Sequence, residues 1–85
     1  MNPSPTPRQL EVLRVIRVER EELGHAPTLR ELAVLLGCSS TNAVADHLRR
    51  LRARGWLDWH PGRARTLRLT ALGARFAAST TREAA

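Results

Sequence analysis

The apolar residues of this 85-residue chain change period after Arg54, and that change separates a three-helix part from a hairpin. Up to Arg54 they recur at helical spacing in three segments, each opened by a capping residue and closed near a glycine. From Trp56 they alternate with polar residues, as in a strand with one buried face. Few small architectures accept three short helices followed by a single hairpin.

The caps set the helix boundaries. Thr6-Pro7-Arg8-Gln9 supplies an N-cap hydroxyl, a proline at the first helical position and a capping-box glutamine. Leu10, Leu13 and Ile16 follow at helical spacing, with Val12, Val15, Val18 and Leu23 nearby, and Gly24 is a stop. After Pro27, Thr28-Leu29-Arg30-Glu31 repeats the capping box. Leu29, Leu32, Ala33 and Leu36 are expected to form the inner face of the second helix, which Gly37 ends. The third helix opens near Ser39, Ser40 or Thr41 and runs to Arg54, with Gly55 as its stop and Val44, Leu48 and Leu51 as its buried stripe. Only Gly37 to Ser40 separates the second helix from the third, which predicts the sharp bend of a helix-turn-helix. Small Ala33 lets the two helices approach closely.

Beyond Gly55, Trp56-Leu57-Asp58-Trp59-His60 places Leu57 and Trp59 on one side and Asp58 on the other. Thr66-Leu67-Arg68-Leu69-Thr70 turns Leu67 and Leu69 inward. His60-Pro61-Gly62-Arg63 between them has proline and glycine where a type II turn needs them. The segment from Ala71 to Ser79 reads as a last short helix with Leu72 and Phe76 on one face. The expected fold is mainly α with a small β-hairpin, a three-helix winged helix-turn-helix. It divides into a flexible arm at residues 1–6, the winged helix-turn-helix at 7–70, and a short C-terminal helix and tail at 71–85.

Charge points to a partner. All fourteen basic residues are arginine, against eight acids, and the net charge is +6. Residues 1–37 balance five arginines with five glutamates, so residues 38–85 carry the entire excess. A one-signed field confined to one half of a chain suits a polyanion such as nucleic acid, whereas a merely solubilising surface mixes both signs. No apolar run approaches the length of a membrane span, so no membrane role is expected, and the single Cys38 cannot form an internal disulfide, which suits a reducing cytoplasm.

On the third helix, Asn42, Asp46 and Arg49 point away from the buried stripe, with Ala45 and Arg50 flanking them. A helix in the major groove needs such a face, polar where base edges are read and small where the groove is tight. Asn42 can pair with adenine, Asp46 can accept from cytosine, and Arg49 reaches guanine or a phosphate. Ser39, Ser40 and Thr41 lie where hydroxyls and free backbone N–H groups bind phosphate. Arg49, Arg50 and Arg52 on the helix, with Arg63 and Arg65 at the hairpin tip, complete the candidate contacts. Arg54 turns nearer the core side. A polar outer face and serine caps are also ordinary features of a surface helix; the basic hairpin beside them favours the functional reading.

Residues 6–70 resemble the N-terminal DNA-binding domain of the LexA repressor family, regulators of the bacterial SOS response. The resemblance is carried by TPRQLEVLRVIR, APTLRELAVLLG, SSTNAVADHLRRLRARGWLDW and PGRARTLRL. It implies a winged helix-turn-helix whose third helix reads a palindromic operator, with base-reading positions at Ser40, Asn42, Ala43, Ala45 and Asp46. The chain departs from the family at Ala45 and Asp46, where its best-known members carry two glutamates, so a different operator is expected. Arg63 stands where a small residue is usual. The family also carries a self-cleaving domain with a serine–lysine dyad. This chain has no lysine and stops where that domain would begin, so no autoproteolysis is expected. Pairing of two copies would then come from DNA, from Ala71–Ser79 or from another chain.

His25, His47, His60 and Cys38 have no metal-ligand spacing, and no phosphate loop, paired-carboxylate site or nucleophile–base motif occurs. His47 reads as a packed histidine, Cys38 as a small filler of the turn, and Trp56 and Trp59 as anchors of the hairpin. The arm with Arg8 is a further possible phosphate contact. The expectation is therefore a LexA-like repressor of the nucleoid and cytoplasm, not an enzyme and without a cofactor. It would bind double-stranded DNA at a palindromic operator, as a possible homodimer on DNA. The alternative is a winged-helix module that binds an acidic protein partner.

Overall fold

Capping chemistry starts each of the first three helices where the sequence predicts. The computed structural model describes residues 4–60, 62 and 65–84. Helix α1 spans Pro7–Leu23, α2 spans Leu29–Leu36 and α3 spans Thr41–Ala53. At α1 the amide of Gln9 donates to Thr6 Oγ1 (3.1 Å) while the Gln9 side chain accepts from the Thr6 amide (2.8 Å). Thr28 and Glu31 repeat both bonds at α2, with the same two distances. These reciprocal bonds satisfy donors that a helix start otherwise leaves unpaired. At α3 only half the motif is present: the Ala43 amide donates to Ser40 Oγ.

The bend between α2 and α3 depends on Gly37, whose φ of 69° lies in the left-handed region that glycine enters without steric cost. Its amide and that of Cys38 donate back to the carbonyls of Val34 and Ala33, closing α2. Arg8 reaches across from α1 to reinforce this end. Its guanidinium donates to the Leu36 carbonyl (2.9 Å) and lies 3.4 Å from Cys38 Sγ, while Glu11 holds its other nitrogen at 2.8 Å. Arg8 is thus a brace inside the fold, which corrects its assignment to a free arm.

The core is aliphatic apart from one large ring system. Val12, Leu13 and Ile16 of α1 meet Leu32, Ala33 and Leu36 of α2 and the expected stripe Val44, Leu48 and Leu51 of α3. Leu29 departs from the expected inner face and is 42% exposed. Ala26 and Pro27, just ahead of the cap, are buried there instead, and Leu29 is left facing α3 and the hairpin.

The hairpin pairs β1 (Leu57–Asp58) with β2 (Arg68–Leu69) in antiparallel register, Leu57 opposite Leu69 and Asp58 opposite Arg68. Leu57 and Leu67 are buried, and Trp59 and Leu69 are half-buried against the core. The ladder is shorter than the alternating pattern suggests. Beyond it a side chain takes over, with the His60 amide donating to Thr66 Oγ1 (2.9 Å). Gly62 has a φ of 78°, whereas Pro61, Arg63 and Ala64 of the expected turn lie outside the described residues.

Helix α4 spans Ala71–Ala84 and packs on α1. Thr70 joins it to the hairpin: its hydroxyl donates to the Gly55 carbonyl (2.6 Å) and accepts from the Gly73 amide (3.1 Å). The face expected to pack, Leu72 with Phe76, is only half right. Leu72 is 44% exposed, and the inner face consists of Gly73, Phe76 and Ala77. The reason is Trp56, which is fully buried and meets Phe76 edge-on at 5.5 Å. A ring of that size brings α4 in through its smallest residues.

Candidate nucleic-acid interface

Burial of Val44, Leu48 and Leu51 fixes the rotation of α3 and thereby selects the residues that face out. Ser40, Thr41, Asn42, Asp46, Arg49 and Arg50 are exposed, while Ala43 and Ala45 are half-buried. Within this face Asp46 is held between two guanidiniums, 3.5 Å from Arg49 and 3.1 Å from Arg50. Each pair is solvent-exposed and contributes little to stability. Their consequence is geometric: one carboxylate gathers two cations on the outer surface of α3.

Between α3, the start of α2 and the hairpin runs an open groove of about 630 Å³. Its lining includes apolar atoms of Pro27, Leu29, Leu48 and Trp59. Arg30, Arg49 and Arg65 border it from three different elements, together with the hydroxyl residues Thr28, Thr41 and Thr66. Arginine planes and hydroxyls around an apolar trough can grip phosphate oxygens while sugar edges lie against the trough.

Arg52 sits differently from Arg49 and Arg50. Its guanidinium lies 4.5 Å over the Trp59 ring, its Nε is 3.4 Å from Asp58, and Nη2 donates to the Trp59 carbonyl. Asp58 also faces Arg68 at 3.7 Å across the hairpin. The Trp59 backbone amide, then Arg52 and Arg68, hold the Asp58 carboxyl below its ordinary pKa. The structure thus brings Asn42, Asp46, Arg49 and Arg50 onto one face with Arg65 across the groove, and sets Arg52 at the root of the hairpin. Arg63 lies outside the described residues.

Three positions were not predicted from the sequence. Leu29 and Arg30 join the groove because α2 starts at its edge; the signal was present in the cap, since the first two helical residues project beyond the buried turn. Arg20 secures the base of the wing by donating to the Leu67 carbonyl (2.7 Å), a bond between residues 47 positions apart that no local pattern reveals. His47 is half-buried on α3 and Cys38 half-buried in the turn. Among the described residues no three His, Cys, Asp or Glu side chains gather as metal ligands, and no helix is long and apolar enough to cross a membrane.

Comparison with known proteins gives a consistent result. The model of the LexA DNA binding domain family matches residues 3–66. The LexA repressor of Aeromonas salmonicida (strain A449) is 45% identical over 64 residues, which are 75% of this chain and 31% of that protein. The LexA repressor of Anaeromyxobacter dehalogenans (strain 2CP-1 / ATCC BAA-258) is 47% identical over 62 residues, 73% of this chain and 27% of that protein. That of Shewanella baltica (strain OS155 / ATCC BAA-1091) is 42% identical over 66 residues, 78% of this chain and 32% of that protein. The matched region therefore spans less than a third of the length of these relatives.

Proposed function

The chain belongs to the LexA DNA-binding domain family, and from that membership we propose that it is a sequence-specific binder of duplex DNA, a LexA-like transcriptional repressor. One observation carries the reading: Thr41, Ala45 and Arg49 of α3 and Arg65 of the wing border the same groove. Helix α3 enters the major groove, with Ser40, Asn42, Ala43, Ala45 and Asp46 against base edges and the Thr41 hydroxyl against phosphate. Arg49 and Arg50 bind phosphate or guanine from the same helix, Arg52 buttresses the wing, and Arg63 and Arg65 grip the backbone from the wing.

Repression is by occupancy. The 85 residues contain no lysine, so they furnish no serine–lysine dyad, and the role read for them is binding. Its target is a palindromic operator on which two copies pair, and its place is the nucleoid. Ala45 and the short Asp46 read a different operator from the two glutamates that the best-known members of the family carry there.

Selection of bound sites from random duplex DNA, followed by titration of the enriched site at two salt concentrations, tests this reading. A palindromic motif with steep salt dependence is expected, because each neutralised phosphate releases counterions. An enriched half-site alone would leave sequence reading intact and remove the paired copies. Absence of enrichment, with weak salt-sensitive binding to every duplex, would replace this reading with a module for an acidic protein partner.

A further inference from the structure

Arg65 stands out in the wing backbone. Its φ is 62°, and it is the only non-glycine residue with a positive φ among the described residues. A side chain in that region of backbone space must be held by its surroundings. The partner is His25, in the loop between α1 and α2: Arg65 Nη1 lies 3.0 Å from His25 Nδ1. The two residues are 40 positions apart, so this contact ties the wing to the body of the domain at the mouth of the groove.

The chemistry of the contact is restrictive. A guanidinium has only donors, so His25 Nδ1 must accept, and the proton of the neutral ring must sit on Nε2. The same Nδ1 is 3.0 Å from the carbonyl of Ala26, an acceptor to which it can donate only if it carries the proton. The nitrogen cannot serve both. Arg65 therefore selects one tautomer, and without Arg65 the neighbouring carbonyl favours the other. Glu31 of α2 feels the guanidinium: after its bond from the Thr28 amide, the charge of Arg65 helps hold its carboxyl below the ordinary value. Arg30 and Arg49 are the other charged groups lining the groove.

We propose that His25 is a positioning residue for the wing, seating Arg65 so that its remaining N–H groups point a fixed donor fork at a phosphodiester of bound DNA. This inference rests on the DNA-binding reading above. With one nitrogen engaged by the imidazole, Nη2 and Nε remain for two phosphate oxygens, the bidentate geometry that suits arginine. Seating the side chain beforehand removes part of the ordering otherwise required on binding.

Two measurements decide it. Nitrogen-15 spectra of the imidazole, taken without DNA at neutral pH, should show His25 protonated on Nε2 in the wild type and shifted toward Nδ1 in Arg65→Ala. On the selected duplex, His25→Ala should lower affinity by about three- to tenfold, the range expected for releasing one long side chain. That loss should vanish in the Arg65→Ala background, and His25→Gln, which keeps an acceptor, should retain most of the affinity. An Nδ1–H ring in the wild type, or an equal loss with and without Arg65, overturns the positioning role while leaving DNA binding untouched. A wild type that binds no duplex overturns both readings at once.

Discussion

Gly73 of α4 lies so close to the backbone carbonyl of Trp56 that a β-carbon at residue 73 would overlap it. This contact lets α4 close over Trp56, the largest fully buried side chain of the domain. Alanine normally stabilises a helix interior by about 1 kcal/mol relative to glycine. Here it must displace backbone, and overpacking of that kind costs about 1–3 kcal/mol. Gly73→Ala should therefore lower stability in urea titrations despite its better helix propensity. A variant as stable as the wild type would mean that α4 does not dock through this glycine.

Arg52 leads to the second prediction. Stacking on Trp59 and pairing with Asp58 fasten the end of α3 to the first strand of the wing. An exposed cation–π contact contributes about 0.5–1 kcal/mol. Arg52→Ala should lose about that much stability, and Arg52→Lys should restore little of it, because an ammonium lacks the planar stacking of a guanidinium. In DNA titrations, Arg49→Ala should lower the salt slope by about one phosphate equivalent, and Arg52→Ala by much less. Equal slopes for the two variants would place Arg52 on the DNA backbone instead.

What was legible in the sequence followed from chemistry that acts over a few residues. Thr6 with Gln9, Thr28 with Glu31, and Gly37 fix helix ends through bonds three to five positions long, and these ends appear where they were expected. The stripe Val44, Leu48 and Leu51 fixed the outward face of α3 in the same way. Contacts chosen by shape or by long reach were not legible. Leu72 and Phe76 share a helical face, yet only the bulk of Trp56 determines that Gly73 and Ala77 go inward. By sequence, Arg8 belongs with the arm, Arg52 with the DNA contacts and Arg20 with neither, and the fold uses Arg8 to brace the turn, Arg20 to hold the Leu67 carbonyl just ahead of β2 and Arg52 to stack on an indole.

Asn42 and Asp46 lie one helical turn apart on the exposed face of α3, but their removal should have different consequences. Asn42→Ala should weaken binding to the selected site by about 1–3 kcal/mol and relax specificity at one base pair. Binding to unrelated duplexes should barely change. Asp46→Asn removes a negative charge from between Arg49 and Arg50, so binding to unrelated duplexes should strengthen while discrimination falls. Competition titrations against specific and scrambled duplexes separate the two. If Asn42→Ala left the specific site unaffected, the assignment of the base-reading face would be wrong.

Glu31 links the fold to pH. Its carboxylate accepts from the Thr28 amide, and that bond, assisted by the hydroxyl of Thr28 and the charge of Arg65, holds its pKa below the ordinary 4.5. A group with a depressed folded pKa binds fewer protons in the folded state. Its contribution is therefore complete above the unfolded value and disappears as pH falls through the folded one. Glu31→Gln keeps an acceptor for the Thr28 amide but carries no charge at any pH. It should be less stable than the wild type at neutral pH, and the difference should shrink as pH drops below about 4.5. Asp58, also depressed, contributes to the acid sensitivity of both proteins, so the difference between their unfolding midpoints isolates Glu31. Midpoints that stay parallel from neutral pH into acid would show that the charge on Glu31 adds nothing to the cap of α2.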